Sequence, residues 1–323
     1  MCTAVTFRTR DHYFGRNLDL EQHFREAVVV TPRNFPLAFR HMPTLQHHYA
    51  MIGMASIVQD YPLYYDATNE KGLSMAGLNF PGYATYYPFC NEKTNIAPFE
   101  LIPWLLATCG NITEVEAALK ELNLLKEPFS QSIPLSPLHW IIADNEQAIT
   151  LETLPDGMRI HKNPVGILTN NPPFDYHMLH LADYLNLTAS AVENRFAPGV
   201  EILPYSRGMN TIGLPGDLGS ASRFIKAAFT KLNSKCDKTE VASVSQFFHI
   251  LSSVIQQRGL VSHEGAYEIT YYSSCCNTDK GIYYYTTYEN RQITAVDMHR
   301  TDLNGRTLIS YPLILDQQIR WEN

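Results

Sequence analysis

Short runs rich in β-branched and aromatic residues, bounded by Gly, Pro, Asn and Asp, open this chain: Ala4–Thr9, Glu26–Thr31, Met51–Val58, Leu63–Thr68 and Leu73–Asn79. No helix-period pattern separates them, which predicts a meander of antiparallel hairpins. Helix-period patterns come next. Ile96–Ala107 carries Pro98 in its first turn and Pro103 where a kink is expected. A second helix is predicted from Thr113, with Thr113 and Glu116 as a capping box and Val115, Ala118, Leu119 and Leu122 along one face. Strands return at Leu138–Ala143, Ala148–Thr153, Met158–His161 and Val165–Thr169, then helices at Asp175–Leu187, Ser220–Leu232 and Val241–Gln257. Strands at Tyr267–Ser273, Gly281–Tyr288 and Gln292–Met298 follow. Grouped strands alternating with grouped helices, without single-helix crossovers, predict an α+β fold with antiparallel sheets inside and helical layers outside. No repeat, linker or low-complexity tract divides the 323 residues, so 1–323 reads as one domain.

The charge balance narrows the function. A net charge of -7 and the lack of basic runs argue against nucleic acid or an anionic membrane as partner. No segment approaches eighteen consecutive apolar residues, and the N-terminus has no charged-then-apolar leader, so a cytoplasmic protein is expected. The six cysteines show no framework spacing and read as free thiols. His177 and His180 sit three apart but have no further ligands at metal-site spacing. Neither a metal nor an organic cofactor is expected, and no phosphate-binding glycine loop is present.

Cys2 carries the sharpest chemistry. Once Met1 is removed, the same residue holds a thiol, the most nucleophilic side chain near neutrality, and an α-amine. An α-amine titrates at about 7.7–8.0, so a useful fraction is free base at neutral pH. Nucleophile and base are then one residue. Read alone, Cys2 is equally a small packing residue at a strand start. Other polar residues stand at predicted strand ends and helix starts: Arg16 and Asp19 in Phe14-Gly-Arg-Asn-Leu-Asp19, Asn79, the pair Asn170-Asn171, and Arg223 in Ser220-Ala-Ser-Arg223. Singly, each also reads as a turn, cap or solvated charge.

Together these residues give the chain a resemblance to the choloylglycine hydrolases, the family of bile salt hydrolases and penicillin V acylases among the N-terminal nucleophile hydrolases. The resemblance spans Met1-Cys-Thr-Ala4, Phe14–Asp19, Asn69-Glu-Lys-Gly-Leu73, Ala76-Gly-Leu-Asn-Phe80, Leu138-His-Trp140, Gly166–Pro172, Gly213-Leu-Pro-Gly-Asp217, Ser222-Arg-Phe224 and Tyr284–Arg291. It implies a four-layer αββα sandwich and hydrolysis of the amide bond of glycine- and taurine-conjugated bile salts through an acyl-enzyme. Cys2 is then the nucleophile, Arg16 and Asp19 tune its thiol and amine, Asn79 and Asn171 match oxyanion-hole positions, and Arg223 supports the pocket. Asn79 resembles the bile salt hydrolase branch, where penicillin V acylases tend to carry tyrosine. Leu18, Ile133 and Leu135 match the family's apolar steroid pocket, and the family suggests a homotetramer. Met209-Asn210-Thr211 stands where the family is usually glycine-rich. The competing readings are a penicillin V or other N-acyl amide acylase, and a non-catalytic bile-acid binding protein.

Overall fold

The computed structural model describes residues 1–197 and 199–323. Its first strands are β1 (Cys2–Arg8), β2 (His12–Leu20), β3 (Ala27–Thr31), β4 (Met51–Val58), β5 (Tyr61–Asn69), β6 (Ser74–Asn79) and β7 (Thr94–Ile96). Helices α1 (Leu101–Thr108) and α2 (Ile112–Lys120) lead into β8 (Leu122–Leu124), β9 (Leu138–Ala143), β10 (Ala148–Leu154), β11 (Gly157–Lys162) and β12 (Ile167–Leu168). After α3 (Phe174–His180), α4 (Ser220–Asn233) and α5 (Glu240–Ser252) come β13 (Ser262–His263), β14 (Ala266–Tyr267), β15 (Ile269–Asn277), β16 (Ile282–Thr287), β17 (Thr294–Asp297) and β18 (Ile309–Pro312).

Two antiparallel sheets carry the fold, one in the order β12-β1-β2-β15-β16-β17 and the other β11-β10-β9-β6-β5-β4-β3-β18. The period-two alternation of strand side chains sorts their residues into layers. In the eight-stranded sheet Val29, Met75, Trp140 and Ile142 pack with Leu101, Leu105, Ile112 and Val115 of α1 and α2. Their strand neighbours Val28, Val30, Ala76 and Ile141 join the core with Ala4, Phe14 and Leu18 of the other sheet. On that sheet's far side, α4 lies against β1 and β12, and α5 against β2 and β15. The order is therefore helices, sheet, sheet, helices, the αββα sandwich expected from the sequence.

The central strands of both sheets are covered on both faces, so many of their polar residues are buried too. This is why β2, which carries Gly15, Arg16, Asn17 and Asp19, does not read as a strand in sequence yet lies almost wholly buried between β1 and β15. Gly15 permits that contact, since a Cβ there would lie 2.0 Å from the Ser274 carbonyl oxygen on β15. Several predicted boundaries move. Asn111 rather than Thr113 caps α2: its Oδ1 accepts from Glu114 N at 3.0 Å while Glu114 Oε2 accepts from Gly110 N at 2.6 Å. The stretch predicted as a helix from Ile96 is instead the end of β7, a 3-10 turn at Pro98–Glu100 and then α1. Pro103 thus falls in the first turn of α1, where its missing N–H costs nothing and no kink is required. The helix predicted over Asp175–Leu187 stops at His180 and gives way to a 3-10 turn at Leu181–Tyr184. Met209–Thr211 forms a 3-10 turn between Gly208 and Gly213, both in the left-handed region with φ of 83° and 98°. No helix among the described residues is long and apolar enough to cross a membrane.

Candidate active site

Cys2 opens β1 opposite Leu18 on β2 and is buried. Met1 continues the β1–β2 ladder: its nitrogen donates to Asp19 O at 2.9 Å, its carbonyl accepts from Asp19 N at 3.0 Å, and its ammonium meets the Glu268 carboxylate. The Cys2 nitrogen is directed elsewhere, to the side-chain Oδ1 of Asn170 at 2.8 Å. Arg223, fully buried in the first turn of α4, ties the same atoms together. Its Nη1 donates to the Cys2 carbonyl at 2.5 Å and to Thr3 Oγ1 at 2.7 Å, its Nη2 to Asn170 Oδ1 at 2.7 Å, and its Nε to Leu218 O at 3.0 Å.

Asn170 is the hub. Its Nδ2 donates to Asn79 O at 2.7 Å, its N–H to Ser220 Oγ at 2.9 Å, and its carbonyl accepts from His177 Nε2 at 2.9 Å. Each polar group of Asn170 is engaged, so its orientation at Cys2 is over-determined. The sequence reading gave Asn171, with Asn79, to the oxyanion hole; the contact with the Cys2 nitrogen is made by its neighbour Asn170. Asn170 turns to Cys2, and Asn171 is half-buried beyond it with no side-chain hydrogen bond to Cys2 or Arg223. Asn79 ends β6 with its residue exposed and its carbonyl held by Asn170, so a single side chain links it to the Cys2 nitrogen.

Arg16 and Asp19 lie buried on β2. Arg16 Nη1 donates to Tyr65 O at 3.0 Å and Gly77 O at 2.5 Å, reaching across to the eight-stranded sheet. Burial opposes its charge, but Cys2, Tyr272, Asp66 and Asp19 together outweigh this and hold its pKa above the ordinary value. Asp19 Oδ1 accepts from Thr270 at 2.6 Å. Burial pushes the Asp19 carboxyl up, against the opposing charges of Arg223, the N-terminus and Arg16. Asp66, which accepts from Tyr272 at 2.6 Å and Tyr283 at 2.7 Å, completes a slab in which two arginines face two aspartates. Such balance is what keeps buried charge tolerable. Arg16 Nη2 and Asp19 Oδ2 are buried without a hydrogen-bond partner.

Leu18, the predicted pocket residue, stands directly beside Cys2 across the ladder. Ile133 and Leu135 lie half-buried in the loop before β9. Leu135 lines a cleft of about 450 Å³ with Tyr86, Lys126 and Pro137, a cleft whose lining includes none of the residues around Cys2. Sequence reasoning missed Asn170 as the contact, Thr3, Thr270 and Glu268. Only Asn170 had a signal, as half of the Asn170-Asn171 pair. His177 and His180 part company: the first is buried on Asn170, the second pairs with Asp183 at 3.0 Å. Among the described residues no cluster of His, Cys, Asp or Glu suits a metal ion.

The buried titratable groups give the fold an acid limit. Burial lowers His12 and His177 from 6.5 to about 4. The unfolded chain therefore takes up protons below 6.5 that the folded chain refuses, and stability falls as pH drops through that window. Burial also works against the Glu152 carboxylate, but the hydrogen bond with His139 and the nearness of His161, 3.5 Å away, outweigh it and bring it from 4.5 down to about 2. Its stabilising effect is whole above 4.5 and is lost towards 2. Thermal melts should show Tm falling between pH 6.5 and 4, against the opposing contribution of Asp19 and Asp66, whose raised carboxyls take up protons more readily in the folded chain. A Tm as high at pH 4.5 as at pH 7 contradicts this.

A strand that starts at a cysteine, in the inner sheet of an αββα sandwich, is the fold of the N-terminal nucleophile hydrolases. Within that class the chain belongs to the choloylglycine hydrolase family: residues 2–311 match the profile of the linear amide C–N hydrolases of that family, and the protein is such an enzyme. It is 53% identical to a bile salt hydrolase/transferase of Lactiplantibacillus plantarum, with 98% of each chain covered. It is 39% identical to a bile salt hydrolase/transferase of Clostridium perfringens, with 96% of each covered. The crystal structure of a variant of the conjugated bile acid hydrolase from Clostridium perfringens superposes with a TM-score of 0.92 over 100% of both chains, at 37% identity.

Proposed function

We propose that this protein hydrolyses the amide bond of bile salts conjugated to glycine or taurine, with Cys2 as nucleophile once Met1 is removed. The observation that carries the reading is the Cys2 nitrogen: it is held by Asn170 Oδ1, itself pinned by Arg223, instead of being spent on a neighbouring strand. With Met1 gone that nitrogen is an α-amine, already oriented beside its own thiol. The amine takes the thiol proton as sulfur attacks the amide carbon. We read Asn79, at the strand end and linked to Cys2 through Asn170, as the oxyanion donor together with Asn171, a role worth roughly 2.7–4 kcal/mol. The protonated amine then passes its proton to the departing glycine or taurine nitrogen, leaving a thioester. Water, deprotonated by the same amine, opens the thioester and frees the bile acid. The unpartnered Arg16 Nη2 and Asp19 Oδ2 support the reading, because buried polar atoms without partners cost about 1–3 kcal/mol unless something bound engages them.

Bile salts are favoured as substrate by the names of the relatives, which are bile salt hydrolase/transferases. We also read the protein as cytoplasmic and homotetrameric, following the family. Mass spectrometry of the active protein combined with turnover of glycocholate, taurocholate and penicillin V tests the proposal. The expected result is a chain beginning at Cys2 that turns over the two bile salts at least about tenfold faster than penicillin V, the discrimination that roughly 1.4 kcal/mol of transition-state binding provides. Penicillin V turnover above both conjugates overturns the substrate, and full activity with Met1 retained overturns the mechanism.

A further inference from the structure

Behind the Cys2 site lies a buried histidine–glutamate pair that the chemistry above does not use. His139 on β9 and Glu152 on β10 are fully buried, with Nδ1 and Oε1 3.1 Å apart. The other ring nitrogen of His139 meets the Thr169 carbonyl at 2.9 Å, and Glu152 Oε1 also accepts from Phe174 N at 2.9 Å. The pair therefore grips both ends of the segment 169–174, whose second residue is Asn170. The ring of Phe80, next in chain to Asn79, stacks on His139 with centroids 4.2 Å apart and planes 6° from parallel. Phe80 and Thr169 thus bring the flank of Asn79 and the flank of Asn170 onto one imidazole.

The hydrogen bonds show what the pair holds. Both nitrogens of His139 face oxygens, the Glu152 carboxylate and the Thr169 carbonyl. His161, 3.5 Å from Glu152 Oε2 and 3.1 Å from Asp175, closes the pair off from the surface. A carboxylate and an imidazole without exposure are costly to bury, and an apolar pair would fill the space as well. Packing alone gives no reason for them.

We propose that Glu152 and His139 are positioning residues for the amide hydrolysis, holding Asn170 and Asn79 in register at Cys2 through the Thr169 carbonyl, the Phe174 N–H and the Phe80 ring. The inference rests on the reading of Cys2 as nucleophile. Because the pair acts through Asn170, the test is a double-mutant cycle on the full-length enzyme with glycocholate: Glu152→Gln, Asn170→Ala and the two combined. Glu152→Gln should lower kcat about tenfold or more with KM within about twofold, since it disturbs alignment in the transition state and not uniform binding. In the Asn170→Ala background the same change should have almost no further effect on kcat. Equal losses in both backgrounds, or an unchanged kcat in folded Glu152→Gln, overturn the proposal. His139→Gln, which keeps a donor for Thr169 O, runs through the same cycle if Glu152→Gln is insoluble. If neither variant folds, the pair serves the fold and the positioning role is refuted. Cys2→Ser assayed alongside reports on the nucleophile separately: an active Cys2→Ser sinks that reading, while the cycle still reports whether the pair works through Asn170.

Discussion

Cys2→Ser is expected to lose at least about a thousandfold in kcat/KM towards conjugated bile salts, while its Tm stays within a few degrees of the parent. The size follows from the one-residue mechanism. An α-amine is a base matched to a thiol and poorly matched to a serine hydroxyl, so the substitution removes the nucleophile while leaving the amine, Asn170 and Arg223 in place. The fold should tolerate it, because the change is close to isosteric. A buried hydroxyl without a partner costs about 1–3 kcal/mol, and Arg223 continues to hold the Cys2 and Thr3 positions through the main chain and Thr3 Oγ1. Steady-state assays and thermal melts on the same preparation check both halves. A variant that keeps a tenth of the parent activity removes Cys2 from the chemistry.

The layers of the sandwich were legible because alternation and amphipathic stripes report burial directly. β3, β4, β9 and β10 read correctly, and α4 and α5 stand where helices were expected. β2 did not read as a strand because its burial is satisfied by hydrogen bonds and ion balance instead of apolar side chains: Asn17 donates to Leu251 O at 3.0 Å and Asp19 accepts from Thr270. Partners so distant in sequence leave no periodic trace. The same cause hid Asn170. Two adjacent asparagines have the same local chemistry, and only the tertiary contacts of the bend they form, with Ser220, His177 and Arg223, decide which one faces Cys2. The α2 cap was displaced because Asn111-Ile-Thr-Glu114 and Thr113-Glu-Val-Glu116 are both capping patterns, and the choice between them lies in tertiary contacts such as that of Ile112 N with Asp144. His139 was visible as part of a motif, yet its role depends on Glu152 across a strand pair.

Arg223 is where site and fold depend on one side chain, and two substitutions separate its contributions. Its guanidinium spans Leu218 O, Cys2 O, Thr3 Oγ1 and Asn170 Oδ1, joining α4, β1 and the Asn170 segment. Burial lowers its pKa, and Asp19 and Cys2 oppose that, so its charge and theirs are interdependent. Arg223→Lys keeps the charge but replaces a rigid fork by one ammonium that cannot reach all four acceptors. It should lower kcat about a hundredfold, the effect of misplacing a catalytic constellation, with KM changed less than about threefold. Arg223→Gln also removes a positive charge that opposes the effect of burial on the Asp19 carboxyl, so it should be less stable than Arg223→Lys. Denaturant unfolding should therefore separate the two variants even where their residual activities are similar. If Arg223→Lys matches the parent in kcat, the fork is not what aligns Asn170 with Cys2. If Arg223→Gln is as stable as Arg223→Lys, Asp19 does not depend on Arg223 for its charge balance. The two measurements are independent because the fork acts on geometry and the charge acts on burial.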